Sequence, residues 1–166
     1  ANMSFRDFDV FLSRMQDSNS RLKKTLKAVK SDYDVIILDC PPNISTLSEN
    51  VFRAADAVVI PVIPTTLSQR TFEQLEAFFR EHDLPPKKLH GFFSMVQNIK
   101  NLHGETMADM RATHGKRFLD TQIPFTSDIE RMGIHRAPVM ATAPNSLASK
   151  AYRALYQELL IRIESK

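Results

Sequence analysis

The sequence predicts a three-layer α/β domain on a doubly wound, mainly parallel sheet, and three observations carry that prediction. Val35, Ile36, Ile37 and Leu38 form an unbroken apolar run, three of them β-branched, as suits a strand covered on both faces. A second run, Ala57-Val58-Val59-Ile60-Pro61-Val62, follows after one helix-length segment. From there to the last residue, apolar stretches of strand length alternate with segments of helical period, the pattern of right-handed β-α-β units. Strands are expected at 34–39, 57–62, 89–96 and 118–123, with Asp39 and Pro124 at the same edge of the sheet.

Taken in chain order, residues 1–30 read as helix, in one piece or two. Phe5, Phe8, Phe11, Leu12 and Met15 make one apolar stripe, and Leu22, Leu26 and Val29 a second. Ser4 and Asp7 have capping-box spacing, and Ser18-Asn19-Ser20 offers a break. Strand 34–39 ends on Asp39, after which Pro41 and Pro42 fix φ, donate no backbone hydrogen and make a stiff exit. Open α/β sheets bind ligands at the carboxyl ends of their strands, and Mg²⁺ keeps much of its water, so an acid there suits a metal-bound water. Taken alone, the decapeptide 33–42 also fits a core strand whose Asp39 caps the next turn. Ser45 to Ala55 reads as helix, and so does Thr66 to Asp83, with Phe72, Leu75, Phe78 and Phe79 inward and Leu84-Pro85-Pro86 as its stop. Phe92 and Phe93 are core candidates in strand 89–96, Gln97 to His103 reads as a polar loop, and Glu105 to Thr113 as a short helix. Beyond strand 118–123, Ser127 and Glu130 suggest another capping box. Pro138 and Pro144 punctuate a loop before a last helix from Ser146, with Leu147, Ala151, Leu155, Leu159 and Ile163 on one side.

Composition narrows the class. At 166 residues, 43% hydrophobic and 25% charged, the chain has the make-up of one globular domain with a sizeable core. No apolar stretch is long enough to span a membrane and no signal-peptide pattern is present, so the expected setting is the cytoplasm. Cys40 is the only cysteine, which excludes an internal disulfide framework and a CxxC metal site. With no basic neighbour it reads as a small packed residue rather than a nucleophile. Charge is uneven: residues 1–83 hold ten basic and twelve acidic side chains, whereas 84–166 hold twelve and seven, for a net +3. The basic half includes Arg111, His114, Lys116 and Arg117, a group that suits either an ordinary solvated face or the phosphates of DNA. The five histidines show no HxH or HExxH spacing and read as surface or loop residues, and Glu73 and Glu76 as a solvated helix face.

The order Y-D-V-I-I-L-D-C-P-P at 33–42, then A-A-D-A-V-V-I-P-V at 54–62, resembles the ParA/MinD superfamily of deviant-Walker P-loop ATPases, ParA-type partition ATPases above all. Gln122-Ile123-Pro124, Arg136-Ala137-Pro138 and Ala143-Pro144 resemble the carboxyl-terminal motifs of the same family. The resemblance covers about residue 32 to the carboxyl terminus. The family's phosphate loop, K-G-G-x-G-K-[ST], is not matched: Gly91, Gly104, Gly115 and Gly133 stand far apart, and Gly115-Lys116-Arg117 lacks the following hydroxyl. The chain therefore reads as a single domain, 1–166, the carboxyl-terminal portion of a ParA-like ATPase domain with a P-loop NTPase-like sheet incomplete at its amino-terminal side. Without the strand that leads into that loop, residues 35–38 should keep unpaired backbone and exposed apolar surface, to be covered by an oligomer, a swapped pairing or another piece of the protein.

The resemblance implies roles residue by residue. Asp39 becomes the Walker B acid, holding Mg²⁺ through water, and Pro41, Pro42 and Asn43 belong to the switch-like loop that feels the γ-phosphate. Pro124, Phe125 and Thr126, with Asn98 nearby, fall where adenine lies, although an ordinary turn is an equal reading. Arg111, Lys116, Arg117, Arg136 and Lys150 are the candidates for non-specific DNA binding. ATP and Mg²⁺ are the implied cofactors of the intact parent, an ATP hydrolase. The 166-residue chain alone is expected neither to bind nucleotide tightly nor to turn it over. Implied partners are a second copy or a larger oligomer, DNA, and an unidentified cargo or partner protein, in a nucleoid-associated setting. Two alternatives stay open: a non-catalytic interaction module, and a MinD-like ATPase anchored to membrane by residues 155–163, against which a core-packed terminal helix is the favoured reading.

Overall fold

A computed structural model describes residues 21–40, 45–97 and 99–164 of the chain. The stripe from Phe5 to Met15, the Ser4 and Ser18-Asn19-Ser20 signals, Pro41, Pro42, Asn43 and Asn98 all lie outside the described residues. The chain divides into two compact units, Ala1–Val58 and Val59–Lys166.

In the first unit, helix α1 (Arg21–Leu26) packs on helix α2 (Thr46–Ala54). Helix α2 starts where Ser45 and Ser48 cap one another: the Ser45 N–H donates to Ser48 Oγ at 2.6 Å. Glu49 and Arg53, one turn apart, pair at 2.7 Å, and the helix buries Val51 and Phe52. The segment between the helices overturns one expectation. Residues 33–40 belong to no strand, and Val35 and Ile37 are 58% and 87% exposed. A parallel strand needs a neighbour for every N–H and C=O, and the described sheet contains three other strands only. The exposed apolar surface expected along 35–38 is thus present.

The second unit holds the sheet. Strands β1 (Val58–Val62), β2 (Leu89–Val96) and β3 (Phe118–Pro124) lie side by side in that order, all parallel. Helices α3 (Thr66–Glu81), α4 (Asn101–His114), α5 (Ser127–His135), α6 (Val139–Thr142) and α7 (Leu147–Glu164) complete the alternation. Neighbouring residues of β2 point to opposite faces, so Phe93 joins Val62, Phe72, Met110 and Phe118 under α3 and α4, while Phe92 joins Leu119, Ile123 and Leu155 under α7. Helices therefore cover both faces of the sheet. Gly91 makes room between rings: a Cβ there would meet Phe118 at 2.9 Å and Phe72 at 3.1 Å.

Three details differ from the sequence reading. Helix α4 begins at Asn101, inside the expected polar loop, because His103 turns inward and its Nδ1 accepts the Gln97 N–H at 3.2 Å. Ser127 is the first residue of α5 rather than its cap, a position taken by Thr126. Leu147 is 67% exposed, while Ala151, Leu155 and Leu159 of α7 pack on β3. Helix α7 also closes the outer side of β3: the Asp120 and Thr121 N–H groups donate to the two carboxylate oxygens of Glu158 at 2.7 and 2.8 Å. Those donors have no strand beyond them in the described sheet, so a side chain supplies the acceptors.

Candidate functional site

The carboxyl edge of β2 and β3 carries the first candidate site. The register slips between Phe93 and Val96, and Met95, at the slip, takes φ +55, a left-handed conformation that costs a non-glycine residue energy. Bulges and strained residues of this kind re-aim side chains beside binding sites. Next to it, the Phe125 N–H donates to the Val96 carbonyl at 2.9 Å, which ties the exit of β3 to the end of β2. Phe125 is 42% exposed, and the Thr126 hydroxyl is buried with no hydrogen-bond partner among the described residues. A flat, exposed apolar ring at the strand ends where α/β sheets bind ligands suits one face of a planar heterocycle. Pro124, Phe125 and Thr126 follow one another at the exit of β3; Asn98 lies outside the described residues.

In the first unit, Asp39 is exposed and accessible to a hydrated cation. Cys40 beside it is partly buried, and its thiol lies 3.4 Å from the Leu38 carbonyl. Burial raises the Cys40 thiol, and the Asp39 charge raises it further, so it is a poor nucleophile.

The basic candidates separate into distinct environments. Arg111 is held on the protein: it donates to Asp120 Oδ1 at 3.0 Å and to the Asp120 carbonyl at 3.1 Å, with its guanidinium 5.4 Å from the Phe93 ring centre. Arg117 donates to Glu76 Oε1 at 2.6 Å. Lys116, Arg136 and Lys150 are exposed. Lys116 and Arg117 line a common cleft that includes neither Arg111, Arg136 nor Lys150.

Glu76 and three histidines are not where the sequence reading put them. Glu76 is buried and bonds His114 Nδ1 at 3.1 Å as well as Arg117, while Glu73 remains on the exposed face. His90, His103 and His114 are buried. The aromatic stripe of α3 is wide enough that Glu76 faces α4, and His114, arriving from 38 residues away, supplies its partner. A glutamate three residues before the core Phe79 and one helical turn after Phe72 was the available signal. Among the described residues no group of three His, Cys, Asp or Glu side chains could hold a metal, and no helix is long and apolar enough to cross a membrane.

A family model described as an AAA domain matches residues 1–88. The chain is 32% identical over 146 residues to a ParA family protein of Chlamydia pneumoniae, covering 87% of this chain and 57% of that one. It is 29% identical to the sporulation initiation inhibitor protein Soj of Bacillus subtilis, over 84% of this chain and 56% of Soj. With the chromosome partitioning protein ParA of Caulobacter vibrioides the identity is 25%, over 98% of this chain and 63% of that protein. The chain thus spans less than two thirds of the length of these curated relatives.

Proposed function

This chain belongs to the ParA-type P-loop ATPase superfamily, and from that premise we propose that the whole protein is a partition ATPase that dimerises around ATP, binds DNA without reading its sequence, and positions a chromosome, plasmid or other cargo. The observation that carries this reading is the carboxyl edge of the sheet, where Met95 is strained at a register slip and Phe125 stands exposed after β3. An exposed aromatic ring at this edge fits one face of a base. Mg·ATP supplies the phosphoryl group and its metal when bound. Of this chain's residues, Phe125 and Thr126 would meet the base and Asp39 would hold a metal-bound water. Lys116, Arg136 and Lys150, exposed and basic, are the side chains that would reach DNA phosphates; Arg111 and Arg117 would have to leave acidic partners to do so. A membrane-anchored reading has less support, because Leu155 and Leu159 of α7 are spent on the core.

The test is ATP hydrolysis and ATP binding by the full-length protein. Asp39→Asn should lower Mg-dependent hydrolysis at least about a hundredfold, as loss of a metal-positioning group does, while leaving nucleotide affinity within about tenfold. Phe125→Ala should weaken ATP and ADP alike. Hydrolysis unchanged in both variants would remove the assignment.

A further inference from the structure

The sheet has a second edge, and it carries a feature that the reading above does not use. At the amino-terminal ends of β2 and β3, opposite Pro124 and Phe125, the second unit opens a cleft of about 510 Å³. Its charged and titratable lining is Lys87, His90, His114, Lys116, Arg117 and Arg162, with no carboxylate among the lining residues. The sequence scatters these groups over about 75 positions; the parallel topology gathers them, since the turns that precede β2 and β3 necessarily meet at one edge. We propose that this cleft binds a small polyphosphate anion, free or as the phosphate tail of a small molecule, at a site separate from the carboxyl edge.

Three features favour such a ligand. The first is charge: Arg117 is partly neutralised by Glu76, and Arg162 by Glu158 at 3.6 Å, whereas Lys87 and Lys116 are exposed at the rim. Two uncompensated ammonium groups with two half-compensated guanidiniums suit a compact anion of several charges. Second, the His114 side chain is 3% exposed and forms part of the wall, yet its Nε2 has no hydrogen-bond partner among the described residues, while Nδ1 is engaged by Glu76. A buried nitrogen without a partner is uncommon in a folded protein. Third, the wall is already arranged. Gly115 takes φ +57, turning the chain sharply at the end of α4, and the Lys116 carbonyl is anchored by Arg162 at 2.8 Å. The cleft's volume lies within the usual range for small-ligand sites of roughly 300–1,000 Å³.

Inorganic pyrophosphate is the probe. Titrated into the isotopically labelled protein at low salt, it should shift the amide resonances of Leu89, His90 and Gly115 through Arg117 saturably, and bind more tightly than orthophosphate. The Lys87→Glu/Lys116→Glu variant alters exposed side chains only and should fold normally, as its remaining amide spectrum will show, while weakening pyrophosphate at least tenfold. Absence of saturable shifts at these amides, or equal affinity in the charge-reversed variant, would overturn the proposal. So would a short DNA duplex that occupies these amides when pyrophosphate does not. ATP-site variants such as Phe125→Ala should leave pyrophosphate binding unchanged, so this inference can fail or stand independently of the proposed ATPase activity.

Discussion

Replacing Glu158 by alanine should open the outer side of β3. The carboxylate accepts the Asp120 and Thr121 N–H groups at 2.7 and 2.8 Å and lies 3.6 Å from Arg162. Hydrogen bonds to a charged acceptor contribute about 1.5–3 kcal/mol each when dry. Here the glutamate side chain is 17% exposed and the Asp120 end of the strand is open to water, which re-solvates part of what is lost. The two bonds together are therefore expected to be worth about 2 kcal/mol, and Glu158→Ala should lower Tm by about 4–8 °C for a domain of this size. Glu158→Gln keeps one acceptor and should lose about half as much. The effect depends on pH. Burial pushes the Glu158 carboxyl up from 4.5, but the strand N–H bonds and Arg162 outweigh it, and the net shift is downward. A folded-state value below the unfolded one stabilises fully above the unfolded value and is lost as pH falls through the folded one. The stability difference between the parent protein and Glu158→Gln should thus be flat near neutrality and shrink below about pH 4.5. Urea denaturation at several pH values measures it. A cost for Glu158→Ala within about 0.5 kcal/mol, or a Gln difference that persists unchanged in acid, would refute the argument.

Gly91→Ala should destabilise the second unit by about 1–3 kcal/mol, read as a shifted denaturation midpoint, because its methyl would push into the buried rings of Phe118 and Phe72. Glu76→Gln should cost about 1–3 kcal/mol, since His114 and Arg117 lose their shared carboxylate, and the imidazole resonances of His114 in NMR spectra should move while those of His82 do not. Calorimetric titration of the 166-residue chain with Mg·ATP should give no micromolar binding and no steady phosphate release, because its four separated glycines cannot form a backbone phosphate cradle. Micromolar affinity that persists in the Lys87→Glu/Lys116→Glu variant would reveal a phosphate loop built from other residues.

Much was legible in the sequence because it rests on local periodicity. The segments expected as strands at 57–62, 89–96 and 118–123 became strands within a residue or so of their expected limits, and the apolar run at 57–62 suits a strand in a covered sheet. Helix 66–83 and the terminal helix followed from apolar spacing and proline stops. The same local signals placed Pro124, Phe125 and Thr126 at the end of β3.

Tertiary structure decided whatever depends on partners far along the chain. Residues 35–38 have the composition of a buried strand, but composition expresses a preference for burial and cannot supply the neighbour that satisfies the backbone; in the first unit they stay unladdered, with Val35, Ile36 and Ile37 exposed. Glu76 reads as a surface glutamate until His114 and Arg117 arrive from some 40 residues away and make its burial affordable in free energy. Arg111 reads as a free cation until Asp120 and the Phe93 ring hold it. The strain at Met95 and the cleft at the amino-terminal edge arise only when parallel strands align their ends, bringing residues distant in sequence into one small volume. Sequence alone sets each segment's preference; electrostatic pairing and backbone satisfaction across the fold determine which residues remain free to bind.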